Sequence, residues 1–240
     1  MKAPEVLGHH APAEPNPQLS IVICTLNEAA DIGVLLDQLQ DLRKSRHEVV
    51  LVDGGSVDHT TRIARPLVDR LLNSPPGRAT QLNMGARHAS GDVLWFLHAD
   101  SRVEQGSAQA LLDSLAAGAD WGRFDVRLSG QRWPLRMVET LINLRSRLTA
   151  IATGDQGIFV ARETFEAAGG FEDIPLMEDV ALSKSLRRSS APACIGQPRL
   201  QTSSRRWEQH GILATILLMW RLRLAYALGA SPHQLAKRYR

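Results

Sequence analysis

A histidine and an aspartate stand two residues apart where an apolar run of the chain ends. Residues 93–97, Val-Leu-Trp-Phe-Leu, have the length and composition of a buried strand, and His98-Ala99-Asp100 follow at once. In an open α/β sheet, ligands bind beyond the carboxyl ends of the strands. A carboxylate with an imidazole beside it can hold a divalent cation, and the cation can in turn hold a diphosphate. The pattern therefore predicts a cation and diphosphate site at this strand end.

Asp53 ends a second apolar run, residues 48–53, and is followed by Gly54-Gly55-Ser56. Glycines at that place let the backbone take positive φ values and let a ligand approach closely. The alternative is a helix cap at a tight turn, and the residues alone do not decide between the two. Neither the Gly-x-Gly-x-x-Gly dinucleotide pattern nor a phosphate loop ending in Gly-Lys-Ser/Thr follows either strand.

Two further patterns place charge at predicted helix starts. Arg78 opens a helix that also contains Gln81, and its guanidinium could pair with a diphosphate; the alternative is a solvated helix start. Glu178 and Asp179 precede a helix at 180–187, where acidic pairs are common as caps and as partners of the helix dipole. The other interpretation is a general base whose pKa is tuned by burial and neighbouring charges.

Strands alternate with helices along the first hundred residues. We predict strands at 19–25, 48–53, 71–73 and 93–97. Between them we predict a helix at 29–42, a helix that follows the turn at 54–56 and ends at about residue 64, and a helix at 78–89. This alternation is typical of βαβ units and of a mostly parallel sheet with right-handed crossovers. Glu28, Asp53 and Asp100 should then emerge on one edge of the sheet and converge on a single crevice.

The second half of the chain predicts more helices than strands. Helices are expected at 107–117, 133–150, 163–168, 180–187 and 212–228, and strands at 121–128 and 157–160. The alternation within 121–128 predicts a half-buried strand. The expected fold class is α/β, with a mostly parallel central sheet flanked by helices and a C-terminal helical extension.

The composition describes one globular domain with an appendage, since the 240 residues are 44% hydrophobic and 22% charged. Cys24 and Cys194 make no disulfide framework, which favours buried thiols in a reducing, cytoplasmic compartment. Residues 1–18 contain four prolines and little apolar content and are predicted to be a disordered leader.

Residues 184–240 hold eleven Lys/Arg and one acidic residue, and a basic segment of this kind is suited to binding phosphates or anionic lipid. No nucleic-acid-binding motif accompanies this basic segment, so a nucleic-acid partner is not expected.

Taken in order, these motifs resemble family 2 glycosyltransferases of the GT-A fold, and in particular small bacterial, non-processive members. The series runs through Ser20 to Glu28 (SIVICTLNE), Val49 to Thr60 (VVLVDGGSVDHT), Gly77 to Gly85, Leu97 to Asp100 (LHAD) and the pair Glu178-Asp179. The resemblance covers about residues 19–207. It implies a Rossmann-like GT-A domain over 19–207, with a nucleotide-sugar-binding half at 19–101 and an acceptor and catalytic half at 102–207. Residues 208–240 remain as a basic, apolar C-terminal helix.

The resemblance implies a nucleotide-sugar donor, usually a UDP-sugar. Thr25, Asn27 and Glu28 match the stretch that borders the base and ribose. Asp53 matches the acid that reads the base, and Arg78 and Gln81 fall in the segment that flanks the nucleotide sugar.

The same resemblance implies metal and catalytic roles. Asp100 matches the last acid of the Asp-x-Asp metal motif, whose first acid is replaced here by His98, and the expected ion is Mn²⁺ or Mg²⁺. Asp179 matches the general base of inverting members, with Glu178 beside it. Asp179 would accept the proton of an acceptor hydroxyl as that hydroxyl attacks the anomeric carbon, which inverts the configuration.

One motif departs from the processive members, which carry Gln-x-x-Arg-Trp. This chain has Ser-Ser-Arg-Arg-Trp at 203–207, so Arg206 and Trp207 match while the glutamine is absent, which favours non-processive transfer. Arg206 or its neighbour Arg205 could neutralise the leaving diphosphate, or the two could form a surface pair. Asp155, Gln156 and Trp207 are assigned to the acceptor side, with a structural turn as the alternative for residues 154–157.

Residues 212–228 are strongly apolar but contain Arg221 and Arg223, so a membrane-spanning helix is not predicted. Two interpretations stay open. One is an interfacial helix in peripheral contact with the inner face of the plasma membrane, which would suit a lipid-linked or hydrophobic acceptor. The other is a helix packed on the core or in a homodimer.

Two other function classes compete with glycosyl transfer. A nucleotidyltransferase would need a Gly-rich loop with Lys or Arg directly after the first strand, where this chain has Thr-Leu-Asn-Glu at 25–28. A non-catalytic nucleotide-sugar-binding protein would have no need of both Asp100 and Asp179. Both alternatives are therefore disfavoured.

Overall fold

A computed structural model describes residues 18–239, and almost all of the predicted N-terminal leader lies outside that range. The sheet has seven strands, and their bounds are β1 Leu19–Thr25, β2 Glu48–Asp53, β3 Arg70–Asn73, β4 Val93–His98, β5 Trp121–Leu128, β6 Phe159–Ala161 and β7 Ala193–Thr202. The helices are α1 Ile32–Gln38, α2 Gln40–Lys44, α3 Thr60–Ala64, α4 Arg78–His88, α5 Ser107–Ala116, α6 Trp133–Thr149, α7 Arg162–Ala167, α8 Glu178–Leu186, α9 Arg205–His210, α10 Ile212–Ala227 and α11 Pro232–Tyr239. Short 3₁₀ turns lie at Arg65–Leu67 and Gly154–Gln156.

The strands lie in the order β3-β2-β1-β4-β6-β5-β7. Strands β1 to β4 are parallel, β6 runs antiparallel to both β4 and β5, and β5 and β7 are parallel. This confirms the predicted mixed α/β class. In the register, Cys24 pairs with His98 and Thr25 with Asp53, so the three motif-bearing strand ends lie side by side as expected.

Strands β1 and β2 are mostly apolar and are buried at every position, because the sheet is covered on both faces. Leu19, Ile21 and Ile23 pack into one core layer, and Val22 and Cys24 pack into the other. Helix α4 lies close against β1, because a Cβ at Gly85 would come within 2.3 Å of a Val22 methyl carbon. This close approach fixes where the first residue of α4 stands relative to the strand ends.

Three elements differ from the prediction. The helix expected over 29–42 is two helices, and the turn at Leu39 is tightened by a bond from its N–H to the carbonyl of Leu36. Strand β5 is buried at every position except Arg127, because both faces of the sheet are covered there: Phe124 packs into one core layer and Trp121 into the other. Strand β7 was not predicted at all, since it contains Pro198 and alternates poorly; as the last strand of the sheet it tolerates a proline.

Helix α10, Ile212–Ala227, confirms the helix predicted over 212–228, and a further helix that was not predicted, α11, follows it in the C-terminal extension. Leu222 of α10 and Leu235 of α11 are buried against Ile151, Leu176 and Met177. This packing is why the chain turns back after α10. Within residues 18–239, no helix is both long enough and apolar enough to cross a bilayer.

Candidate active site

A cleft of about 880 Å³ opens at the carboxyl edge of the sheet, with walls from α6, the start of α8, α9 and α10. Several predicted site residues come together in its lining, namely Arg78, His98, Asp100, Asp155, Asp179, Arg206 and Trp207. The other predicted residues lie outside the lining. They stand at the ends of β1 and β2 and in the loop after β1, or they are buried behind the cleft wall, namely Thr25, Asn27, Glu28, Asp53, Gln81, Gln156 and Glu178.

The adjacent acids Glu178 and Asp179 have different surroundings. The Glu178 side chain is 4% exposed and pairs with Arg78 at 2.7 Å between Oε1 and Nε. Its other carboxylate oxygen is buried without a hydrogen-bond partner. Burial, and then the negative charge of Asp179, raise the pKa of Glu178 to about 7, against the opposing charge of Arg78. Burial alone would lower the pKa of Arg78, but the charges of Glu178 and Asp179 raise it.

Asp179 is half-buried and reaches the cleft from the first turn of α8. One carboxylate oxygen accepts the N–H of Gly154 at 2.8 Å, and the other accepts the N–H of Val180 at 2.6 Å. A side chain at Gly154 would place its Cβ 2.6 Å from the His98 Nε2 atom. His98, Gly154 and Asp179 are therefore packed together, and a side chain at position 154 would displace the His98 ring.

His98 ends β4 in the middle of these charges. Burial lowers the pKa of His98, and the charge of Arg78 lowers it further, against Asp100, Asp155 and Asp179. A neutral imidazole keeps a lone pair that can bind a metal ion or accept a hydrogen bond.

Within the described part of the chain, no three His, Cys, Asp or Glu side chains are close enough to hold a metal ion between them. His98 and Asp100 offer two ligands of suitable chemistry on one cleft wall. The residues present therefore fit a cation that is held in part by the protein and in part by the oxygens of a bound diphosphate.

The loop residues predicted to bind the donor mainly brace one another. The Asp53 carboxylate accepts the N–H groups of Gly55 and Ser56 at 3.0 and 2.8 Å, as the turn interpretation expects. The Asn27 amide oxygen accepts the Val57 N–H at 2.9 Å, and the Asn27 N–H donates to Ser56 Oγ at 2.8 Å. These bonds join the loops after β1 and β2 into one wall.

Two predicted contact residues are used inside the protein instead. The buried Gln81 amide donates to the carbonyls of Thr25 and Val52 at 2.9 and 2.8 Å, so it links the ends of β1 and β2. Gln156 is fully buried, and its side chain accepts the Thr153 N–H in a capping box, so the turn interpretation describes it. Both side chains position backbone rather than face the cleft.

The arginines of α9 tie separate parts of the site together. Arg205 pairs with Glu28 at 3.2 Å, which links α9 to the loop after β1. Burial raises the pKa of Glu28, and the charge of Arg205 opposes this effect. The guanidinium of Arg206 lies 3.7 Å from the ring centroid of Tyr239 and donates to the Tyr239 carbonyl. Trp207 packs against the buried cluster that contains Leu135 and Val138 of α6.

Two charged residues of the cleft lining were not predicted as site residues, Arg145 of α6 and Arg223 of α10. Burial, and then the charge of Arg223, lower the pKa of Arg145 to about 10, and burial lowers the pKa of Arg223. The available signal was that each arginine interrupts an apolar helix. Recognising them as one pair requires knowing that α6 and α10 line the same cleft.

Comparison with known proteins begins with a family model described as Glycosyl transferase family 2, which matches residues 20–162. The beta-monoglucosyldiacylglycerol synthase of Synechocystis sp. is 26% identical over 205 residues, which is 76% of this chain and 43% of that protein. A PGL/p-HBAD biosynthesis glycosyltransferase of Mycobacterium bovis is 37% identical over 101 residues, 39% of this chain and 40% of that protein. The chain thus spans less than half the length of these curated relatives.

Solved structures share the GT-A fold. The mannosyltransferase PcManGT from Pyrobaculum calidifontis, in complex with GDP-Man and Mn²⁺, gives a TM-score of 0.63 at 22% identity and covers 94% of this chain and 70% of its own. TarS residues 1–349 from S. aureus give a TM-score of 0.62 at 19% identity, with 84% of this chain and 65% of that chain covered.

Proposed function

Because the chain belongs to glycosyl transferase family 2, we propose that it transfers a sugar from a nucleoside diphosphate donor to an acceptor hydroxyl, with inversion at the anomeric carbon. The observation that carries this proposal is the placement of His98, Asp100 and Asp179 in one cleft with Arg78. The proposed cation and diphosphate site and the proposed carboxylate base therefore share a single cavity.

The donor is a UDP-sugar, bound at the wall formed by Thr25, Asn27, Glu28 and Asp53. Support comes from the bonds that join these two loops beside the cleft, and from the nucleotide sugars named for structural neighbours. The Asp53 carboxylate holds its turn and so presents that loop to the base.

A divalent cation, Mn²⁺ or Mg²⁺, would be held by His98 and Asp100 together with donor oxygens. When bound, it would neutralise part of the negative charge that develops on the leaving diphosphate. The Mn²⁺ named for one structural neighbour supports this assignment. The guanidinium groups of Arg78 and Arg206 line the same cleft and would stabilise the same negative charge on the leaving diphosphate.

Asp179 serves as the general base. It accepts the proton of the acceptor hydroxyl while the hydroxyl oxygen bonds to the anomeric carbon and the bond from that carbon to the diphosphate oxygen breaks. One displacement of this kind inverts the configuration. The buried Glu178 is a positioning residue, because its carboxylate holds Arg78 rather than facing the cleft.

The acceptor is a lipid-linked or hydrophobic alcohol, and α10 makes peripheral contact with the inner face of the plasma membrane. The apolar side chains of α10 in the cleft wall support this proposal. The diacylglycerol glycoside in the name of the cyanobacterial relative is consistent with such an acceptor. The homodimer interpretation of α10 predicts a dimer in light scattering instead.

The test begins with a thermal-shift screen of UDP-, GDP- and dTDP-sugars with Mn²⁺, which identifies the donor. Release of nucleoside diphosphate is then measured with lipid alcohols in micelles. Asp179→Asn should lower transfer by about 10²–10⁴-fold, because only proton acceptance is removed, while calorimetry shows unchanged UDP affinity. Glu172→Gln, an exposed carboxyl change before α8, is the control. Near wild-type transfer by Asp179→Asn would show that the base is another group.

A further inference from the structure

The cleft continues from Asp179 into an apolar trough between α6 and α10. Leu141, Leu144 and Leu148 line one wall of the trough, and Met219, Trp220 and Leu224 line the other. Several of these side chains are widely exposed, with Leu148 at 77% and Trp220 at 70%. Contiguous exposed apolar surface of this kind marks a binding site more often than a plain surface.

Arg145 and Arg223 stand in the same trough without a charged partner. Within residues 18–239, neither guanidinium lies within 4.0 Å of a carboxylate, and the only side-chain hydrogen bond of the pair runs from Arg145 to the Ile151 carbonyl at 3.0 Å. Two half-buried cations with so few partners are costly, and they are stabilised when an anion binds both.

This arginine pair lies between the two apolar walls of the trough, because Arg145 comes from α6 and Arg223 from α10. Arg78 and Arg206 line the same cleft, but each already has a partner inside the protein: Arg78 pairs with Glu178, and Arg206 lies against Tyr239. Arg78 and Arg206 are the arginines proposed to act on the donor diphosphate, which leaves Arg145 and Arg223 for a second anion.

We propose that the acceptor is an amphiphile with an anionic group, whose hydrocarbon chain lies between α6 and α10 and whose anionic group binds Arg145 and Arg223. The proposal rests on the proposed function only for the role of the bound molecule as acceptor. Binding itself requires no donor and no turnover, and the reacting hydroxyl belongs to the headgroup beside Asp179.

Calorimetry on the full chain tests this proposal with four probes: decyl phosphate, decanoate, decyl alcohol and inorganic phosphate. The two ionic amphiphiles are kept below their critical micelle concentrations, and decyl alcohol is kept below its solubility limit. Decyl phosphate should bind at least about tenfold more tightly than either inorganic phosphate or decyl alcohol, since it uses both halves of the site. Comparison with decanoate shows whether the site takes phosphate alone or any anionic headgroup.

Matched variants separate the trough from the general surface. Arg223→Gln should lower the affinity for decyl phosphate at least about tenfold. Arg221→Gln, which changes an exposed arginine of α10 outside the lining, should leave that affinity unchanged. Leu224→Ser should weaken the binding of decyl phosphate as well, and Leu213→Ser, which changes another exposed leucine of α10 outside the lining, should not. Circular dichroism checks that each variant is folded, and Arg223→Lys should restore part of the affinity.

The inference is overturned if decyl phosphate binds no better than inorganic phosphate, or if Arg223→Gln binds it as well as the wild type. It is also overturned if light scattering shows a dimer that excludes decyl phosphate, because a second copy then covers the trough. UDP with Mn²⁺ is titrated on the same samples. UDP binding without decyl phosphate binding defeats this inference alone, whereas absence of UDP binding defeats the proposed function.

Discussion

Two adjacent acids take different tasks because their side chains leave the helix start in different directions. Glu178 enters the protein, where Arg78 is its only ion-pair partner among the described residues. Asp179 reaches the cleft, where its oxygens accept backbone N–H groups and remain open to a ligand. The buried Glu178 is therefore suited to holding Arg78 in place, and the partly exposed Asp179 is suited to accepting a proton from a ligand in the cleft.

The raised pKa of Glu178 makes stability depend on pH. The folded chain holds this proton up to a pKa of about 7, against an ordinary value of 4.5, so the stability it contributes is full below about pH 4.5 and is lost as the pH rises through 7. Relative to Glu178→Gln, the free energy of unfolding of the wild type should fall by about 3 kcal/mol between about pH 4 and pH 8. Urea unfolding followed by tryptophan fluorescence measures this difference.

The control for that series is Glu163→Gln, which removes an exposed carboxylate of α7. It reports the general effect of deleting one acid from the chain. A difference between wild type and Glu178→Gln that stays constant with pH would contradict the assignment of Glu178 as a buried, proton-holding acid.

At the scale of elements, the site depends on one side chain that joins two strands and a helix. Gln81 donates to the carbonyls of Thr25 in β1 and Val52 in β2, and it accepts the N–H of Gly77 at 3.3 Å, just before α4. Gln81→Leu should lower the free energy of unfolding by about 2–4 kcal/mol, because buried carbonyls lose their donors. UDP affinity should fall too, since both donor loops start at these strand ends.

Gln109→Leu is the matched control, because Gln109 is exposed on α5, away from the cleft. Urea unfolding gives the stability change and calorimetry gives the UDP affinity. Unchanged stability in Gln81→Leu would mean that the strand ends are held together without this amide.

The elements that the sequence predicts well are those whose burial does not depend on distant partners. Strands β1, β2 and β4 are continuous apolar runs because both faces of the sheet are covered, and their bounds were predicted to within a residue. Strand β7 carries Pro198 and is recognisable only through its pairing with β5, far away in the sequence.

The same distinction applies to the site. His98 and Asp100 could be located because they stand at the end of a strand whose direction is fixed by its neighbours. Gln81 and Gln156 have side chains suited to ligand binding, yet burial directs them to backbone groups. No local pattern reveals that burial, because it arises from the packing of several elements.

At the scale of the whole molecule, charge and exposed apolar surface coincide in the C-terminal region. The segment 184–240 carries a net charge of about +10, and the remainder of the chain about −7. Helix α10 lies within this basic segment and exposes Leu213, Leu217 and Trp220 along one face. An apolar stripe on a basic segment suits the surface of an anionic membrane.

This combination predicts that the chain co-sediments with phosphatidylglycerol vesicles at low salt, and not with phosphatidylcholine vesicles. Binding should weaken severalfold at about 0.5 M salt, because screening removes the electrostatic part. The double change Leu213→Ser and Leu217→Ser should reduce binding by removing apolar contacts outside the cleft lining. Val57→Ser is the control, since Val57 is 92% exposed on the loop after β2. Absence of binding to anionic vesicles at low salt would leave α10 as a cleft wall with no membrane role.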